Sequence, residues 1–198
     1  MSGLTENIII GIDLAGTETN PTGWAMWKNK VISTCHLHEN KQILDCSLTL
    51  KPTLIAIDAP LSLPTKGAMR KADKEMRKHG YPVLPPRFPA MKKLTLRAIE
   101  ITKKIIKEGF DIIEVHLAST RKALKMPTKD WQKIQQIFIS MGLEAYLKTR
   151  TLTPHETDAV TAVLTAHLYL KGKTELIGDD KEGYIVIPIK SGWRTLQL

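Results

Sequence analysis

The sequence predicts an α/β domain on a mixed sheet, with three antiparallel strands, then parallel strands, flanked by helices and carrying a basic helical insertion after the fourth strand. Three observations lead there. Two β-branched apolar runs, Asn7 to Leu14 and Leu54 to Asp58, each reach an aspartate at their end, as buried strands do at a functional edge. Between them, Thr22 to Trp27 and Val31 to Leu37 flank Lys28-Asn29-Lys30, which is hairpin spacing. Further on, amphipathic helical stretches alternate with short strand-like runs.

The elements follow in order. NIIIGIDL, with Ala-Gly-Thr after it, is the first strand, and the hairpin supplies the second and third. Asn40 to Leu50 places Ile43, Leu44, Leu48 and Leu50 for a short helix that Pro52 ends. LIAID follows that helix, so it should lie parallel to a strand already in the sheet. From residue 59 to 90 the chain becomes basic and proline-rich, and reads as a loop, a short basic helix and an extended loop. Lys92 to Lys107 carries Leu94, Ala98, Ile101 and Ile105 on one stripe, a core-packed helix closed by Gly109. Asp111 to Val115 is a short strand, Ser119 caps a helical piece, and Trp131, Ile134, Phe138 and Met141 mark a helix after Thr128. Pro154 to Tyr169 is the last long helix, and Tyr184 to Pro188 a terminal strand or edge.

With 198 residues and 42% hydrophobic content, the chain has room for one good core, so residues 1–198 are expected to be a single domain. The net charge of +9 favours polyanionic partners, with a solvated lysine-rich surface as the plainer alternative. Cys35 and Cys46 have neither disulfide-framework nor zinc spacing, which fits a reducing cytoplasm. The absence of a leader pattern or a bilayer-length apolar run predicts a soluble, unprocessed, cytoplasmic protein with no membrane partner.

Chemistry is expected where the two aspartates meet. Adjacent strands lie about 4.8 Å apart, so Asp13 and Asp58 at their C-terminal ends would converge, and such crowding makes sense chiefly around a hard divalent cation. For each alone, a turn-forming or capping role is the alternative. The final helix opens TLTPHETDAV: Thr153 is a good N-cap, Pro154 suits the first turn, and Glu156 sits where it closes a capping box. At about 100° per residue, Asp158 stands about 60° from His155 but about 160° from Glu156, so a sheet-facing site takes His155 with Asp158 and not Glu156. Ala159, Ala162 and Ala166 continue that face and allow close approach to a sheet. Glu114 on the fifth strand is a further acidic candidate, or simply a charge at a strand edge.

The segments GIDLAGTETNPTGWA, IAIDAPLSLP and HETDAVTAVLTAHLY resemble domain-of-unknown-function family 429, predicted nucleases of RNase H fold, over nearly the whole chain. The order of elements is similar to the RNase H-like arrangement with an insertion after its fourth strand, and HxxDA looks like the matching helix of RuvC-type Holliday-junction resolvases. The resemblance implies Asp13, Asp58 and Asp158 as metal ligands, with His155 as ligand or general base. Two positions depart from it: RuvC-type enzymes usually carry Glu where Asp58 stands, and the family segment matching Ile113 to His116 usually continues into proline, where this chain has Leu117.

The reading that follows is phosphodiester hydrolysis of DNA or RNA by water on Mg²⁺ or Mn²⁺, with Asp13, Asp58, Asp158, His155 and Glu114 as the catalytic set. Lys66, Arg70, Lys74, Arg77 and Arg87 of the insertion would hold the phosphate backbone. A homodimer is compatible with this reading. Three rivals stand beside it: a non-catalytic nucleic-acid-binding scaffold; an actin-like ATPase or phosphotransferase suggested by Asp13-Leu14-Ala15-Gly16-Thr17, a class that needs two such lobes; and a basic protein that serves protein partners or ribosomal RNA without any chemistry. No aromatic alternation of an RNA reader is present around Trp24, Trp27, Trp131 or Trp193.

Overall fold

A computed structural model describes residues 7–145, 149–196 and 198. Its elements are β1 (Ile9–Asp13), β2 (Thr22–Lys28), β3 (Val31–Leu37), α1 (Asn40–Leu48), β4 (Leu54–Ile57), α2 (Lys71–Lys78), α3 (Pro89–Lys107), β5 (Ile112–Val115), α4 (Leu117–Ala123), α5 (Trp131–Ser140), β6 (Glu144–Ala145), α6 (Pro154–Leu170), β7 (Thr174–Asp179) and β8 (Gly183–Pro188). The strands form one sheet in the order β6-β3-β2-β1-β4-β5-β8-β7. β1, β2 and β3 are antiparallel, whereas β4, β5 and β8 run parallel to β1. Asn29 and Lys30 both have positive φ, so the β2–β3 turn has the backbone twist that a two-residue hairpin needs.

Strand alternation sorts the core into two layers. Ile9 of β1, with Leu54 and Ala56 of β4, packs against α6, α4 and α5. Ile10 and Ile12, with Ile55 and Ile57, pack against Ala98, Ile101 and Ile105 of α3 and Ile43 of α1. Because side chains alternate along a strand, Asp13 falls on the α6 side with Ile9 and Gly11.

α6 can descend onto the sheet because two strand positions have no side chain. A Cβ on Gly11 would lie 2.3 Å from the Ala159 carbonyl oxygen, and one on Gly23 would lie 2.0 Å from that of His155. Thr153 caps the helix as expected, and its capping box with Glu156 is complete. Glu156 also binds Arg150 and accepts from Thr34 Oγ1 at 2.8 Å, which holds its carboxyl down at about 2.

Several boundaries differ from the sequence reading. α3 starts at Pro89, where proline's fixed φ suits the first helical position. α4 starts at Leu117 behind His116, and Ser119 bonds His116 Nδ1 at 2.6 Å instead of capping. The helix expected after Thr128 begins at Trp131, capped by Asp130, which accepts from the Lys133 amide at 3.0 Å. β7 was not foreseen: Leu176 is 54% exposed and the strand is otherwise largely polar, so its apolar alternation is faint. The basic insertion is no free arm, because Ala72 and Met76 of α2 join Tyr81, Val83, Ile177 and Ile185 in a third apolar cluster.

Candidate active site

β1 and β4 lie side by side with Ile12 opposite Ile57, and the Asp58 amide donates to the Ile12 carbonyl at 2.9 Å. Asp13 and Asp58 therefore leave adjacent parallel strands at the same level. α6 brings His155 and Asp158 over them, one turn apart on one face. His155 Nδ1 lies 2.7 Å from Asp13 Oδ2. Asp58 Oδ1 accepts from the Leu117 amide at 3.4 Å.

The three carboxylates sense one another. Burial, then the charge of Asp158, pushes Asp13 up to about 6 against the opposing pull of His155. Burial, then Asp13 and Asp158, pushes Asp58 well above the usual carboxylate range. Asp158 is likewise raised, by burial, although a cation touches it.

That cation is Arg121 of α4, which sequence reasoning missed. It is 2% exposed, and its Nη2 donates to Asp158 Oδ1 and, at 2.8 Å, to Thr161 Oγ1. Nη1 donates to the Thr128 carbonyl at 3.2 Å, and the guanidinium lies 4.9 Å from the centre of the Trp131 ring. Its Nε has no hydrogen-bond partner among the described residues. A signal was present: Leu117, Arg121 and Leu124 stand at i, i+4 and i+7, which puts an arginine on the apolar stripe of a helix.

Glu114 is not brought to this cluster. The register pairs it with Ile57, so alternation turns it to the opposite face of the sheet from Asp13. There it takes two bonds from Arg70, at 2.7 and 2.5 Å, and one from the Leu61 amide at 2.8 Å. Arg70 is correspondingly turned inward, fully buried between Glu114 and Asp73, and presents nothing to a phosphate backbone. Neither faces a substrate: a buried guanidinium neutralises two buried acids, Asp73 three residues on and Glu114 brought to it by strand register. Lys66, Lys74, Arg77 and Arg87 are exposed, with Arg77 tied to the Val83 carbonyl and Arg87 to that of Pro64.

As they stand, no three His, Cys, Asp or Glu side chains among the described residues form a ready metal-ligand group. The donor chemistry nevertheless fits a hard divalent ion. Asp13, Asp58 and Asp158 each use one oxygen in the contacts above and keep the other clear of them, and all three are strained as anions.

A mixed sheet with carboxylates at the ends of two neighbouring parallel strands, met by an aspartate from the last long helix, defines the RNase H-like fold. The chain belongs to the family Protein of unknown function (DUF429), whose model matches residues 11–133. No curated protein matches the sequence. Among solved structures, T. thermophilus RuvC in complex with Holliday junction substrate is similar at 11% identity and TM-score 0.54, covering 84% of this chain and 96% of that one. A second Thermus thermophilus RuvC structure gives 13% identity and TM-score 0.47 over 83% and 96%. At these identities the likeness is one of fold. Among the described residues, no helix is long and apolar enough to cross a membrane.

Proposed function

We propose that this protein is a divalent-metal-dependent nuclease acting on phosphodiester bonds of nucleic acid, with Asp13, Asp58 and Asp158 as ligands of Mg²⁺ or Mn²⁺. The observation that carries it is the crowding of three carboxylates from β1, β4 and α6, each raised by burial or by its neighbours. Such an arrangement is costly without a cation and stabilised with one. A bound divalent ion would lower the pKa of a water and offset charge on the leaving oxygen.

The chain's own groups supply the rest. Asp13 Oδ2 orients the imidazole of His155 through Nδ1, which leaves Nε2 of this half-exposed ring to accept a proton from water. Lys66, Lys74, Arg77 and Arg87 line the insertion's exposed surface and attract phosphates, consistent with the +9 net charge. RuvC, which shares the fold, is seen with a Holliday junction, and that supports nucleic acid as the partner class here.

The test joins Mn²⁺ calorimetry to cleavage of labelled single-stranded, duplex and branched DNA and of RNA. Wild type should bind Mn²⁺ and cut at least one substrate, whereas Asp13→Asn and Asp158→Asn should do neither; Asp13→Asn should melt no lower, while Asp158→Asn should melt lower because it leaves buried Arg121 without its carboxylate. One observation favours a second reading, a non-catalytic nucleic-acid-binding scaffold: Arg121 already engages Asp158. Nucleic-acid binding without Mn²⁺ uptake or cleavage would select it.

A further inference from the structure

A cavity of about 350 Å³ opens beside Asp58, over the C-terminal ends of β4 and β5. Ligands of open α/β sheets bind outside the carboxyl ends of the strands, and this cavity lies there. Its outer wall comes from the insertion and α3, through Pro82, Leu84, Met91 and Leu94. Leu84 is 54% exposed at the rim, an apolar side chain that nothing in the fold requires to face water.

Charge rules out one class of occupant. Arg70 is the single cation among the lining residues, and Asp58, Asp73 and Glu114 line the same space. All five N–H groups of Arg70 are directed at Asp73, Glu114 and Ser62. The lining therefore offers no free donor cation to a phosphate. An uncharged, largely apolar group suits it. His116 lines the cavity with Nδ1 held by Ser119 at 2.6 Å, so Nε2 is the edge left for hydrogen bonding. The volume is at the low end of small-ligand sites, which run from roughly 300 to 1,000 Å³.

We propose that this cavity receives an unpaired nucleobase from the nucleotide next to the phosphate held at Asp13, Asp58 and Asp158. The inference rests on the nuclease reading and narrows its substrate to strands with an unpaired base beside the scissile bond, since a base in a duplex must leave its stack to enter such a pocket.

Fluorescence anisotropy in Ca²⁺, a hard oxygen-seeking cation standing in for Mg²⁺, compares a short oligodeoxyadenylate with an abasic strand of equal length. Wild type should prefer the base-bearing strand by about tenfold, the gain from burying one base face. Ala118→Trp, at an exposed α4 position lining the cavity, and Leu84→Asn at its rim should erase that preference while leaving abasic-strand affinity unchanged. Equal affinity of wild type for both strands overturns the base pocket and leaves the nuclease reading standing. Binding of neither strand overturns both. A preference that survives both substitutions puts the base elsewhere and overturns the assignment.

Discussion

Replacing Arg121 with Met removes the arginine in contact with the carboxylate cluster while keeping an unbranched side chain in its place. Four contributions disappear: the pair with Asp158, the bonds to Thr161 Oγ1 and the Thr128 carbonyl, and the stacking on Trp131. Removing one member of a buried ion pair typically costs about 3–5 kcal/mol, because the other charge stays behind uncompensated. Asp158 is 20% exposed and can take up a proton, so the lower end applies, and about 3 kcal/mol is expected at neutral pH. Urea unfolding near neutral pH measures it. Two further signs are required. Adding Asp158→Asn should recover at least about 1 kcal/mol, since the stranded charge is then gone, and Mn²⁺ should stabilise Arg121→Met more than wild type. An Arg121→Met protein as stable as wild type, or one whose loss is simply additive with Asp158→Asn, would refute the view that the guanidinium compensates this carboxylate.

Gly11→Ala should destabilise by about 1–3 kcal/mol or more, since its methyl must displace the α6 backbone near Ala159; a melt unchanged from wild type would show that the helix does not rest on β1. Asp13→Asn tests strain in the metal-free protein. Its folded pKa of about 6 lies above its unfolded value, so the stabilisation from its protonation is complete below about pH 4 and is lost as the pH rises through 6. In EDTA, Asp13→Asn should therefore exceed wild type by up to about 3 kcal/mol near pH 7.5 and gain nothing near pH 3.5. A wild type that is the more stable of the two at neutral pH would mean that this carboxylate is not strained.

Residue types and short-range spacing carried a large part of this fold and site. Apolar β-branched runs that stop at Asp13 and Asp58 are strands because nothing else buries them, and the Thr153–Glu156 capping box follows from four residues of helix geometry. The angular separation of His155 and Asp158 from Glu156 is equally local, and the structure keeps the first two over Asp13 while Glu156 turns to Arg150. Three-dimensional packing alone decided the rest. Which face Glu114 occupies depends on the register of β5 against β4, and a shift of one residue would have reversed it. Arg70 looks like a surface cation along the chain and Arg121 shows only its place on an apolar stripe; each is buried because an acid from a distant segment, Glu114 or Asp158, meets it there. The approach of α6 to the sheet likewise hangs on Gly11 and Gly23 meeting helix backbone that is more than a hundred residues away in sequence. Helix caps and strand ends are set by interactions a few residues long, whereas the partner of a buried charge is set by which distant segments the sheet order brings together.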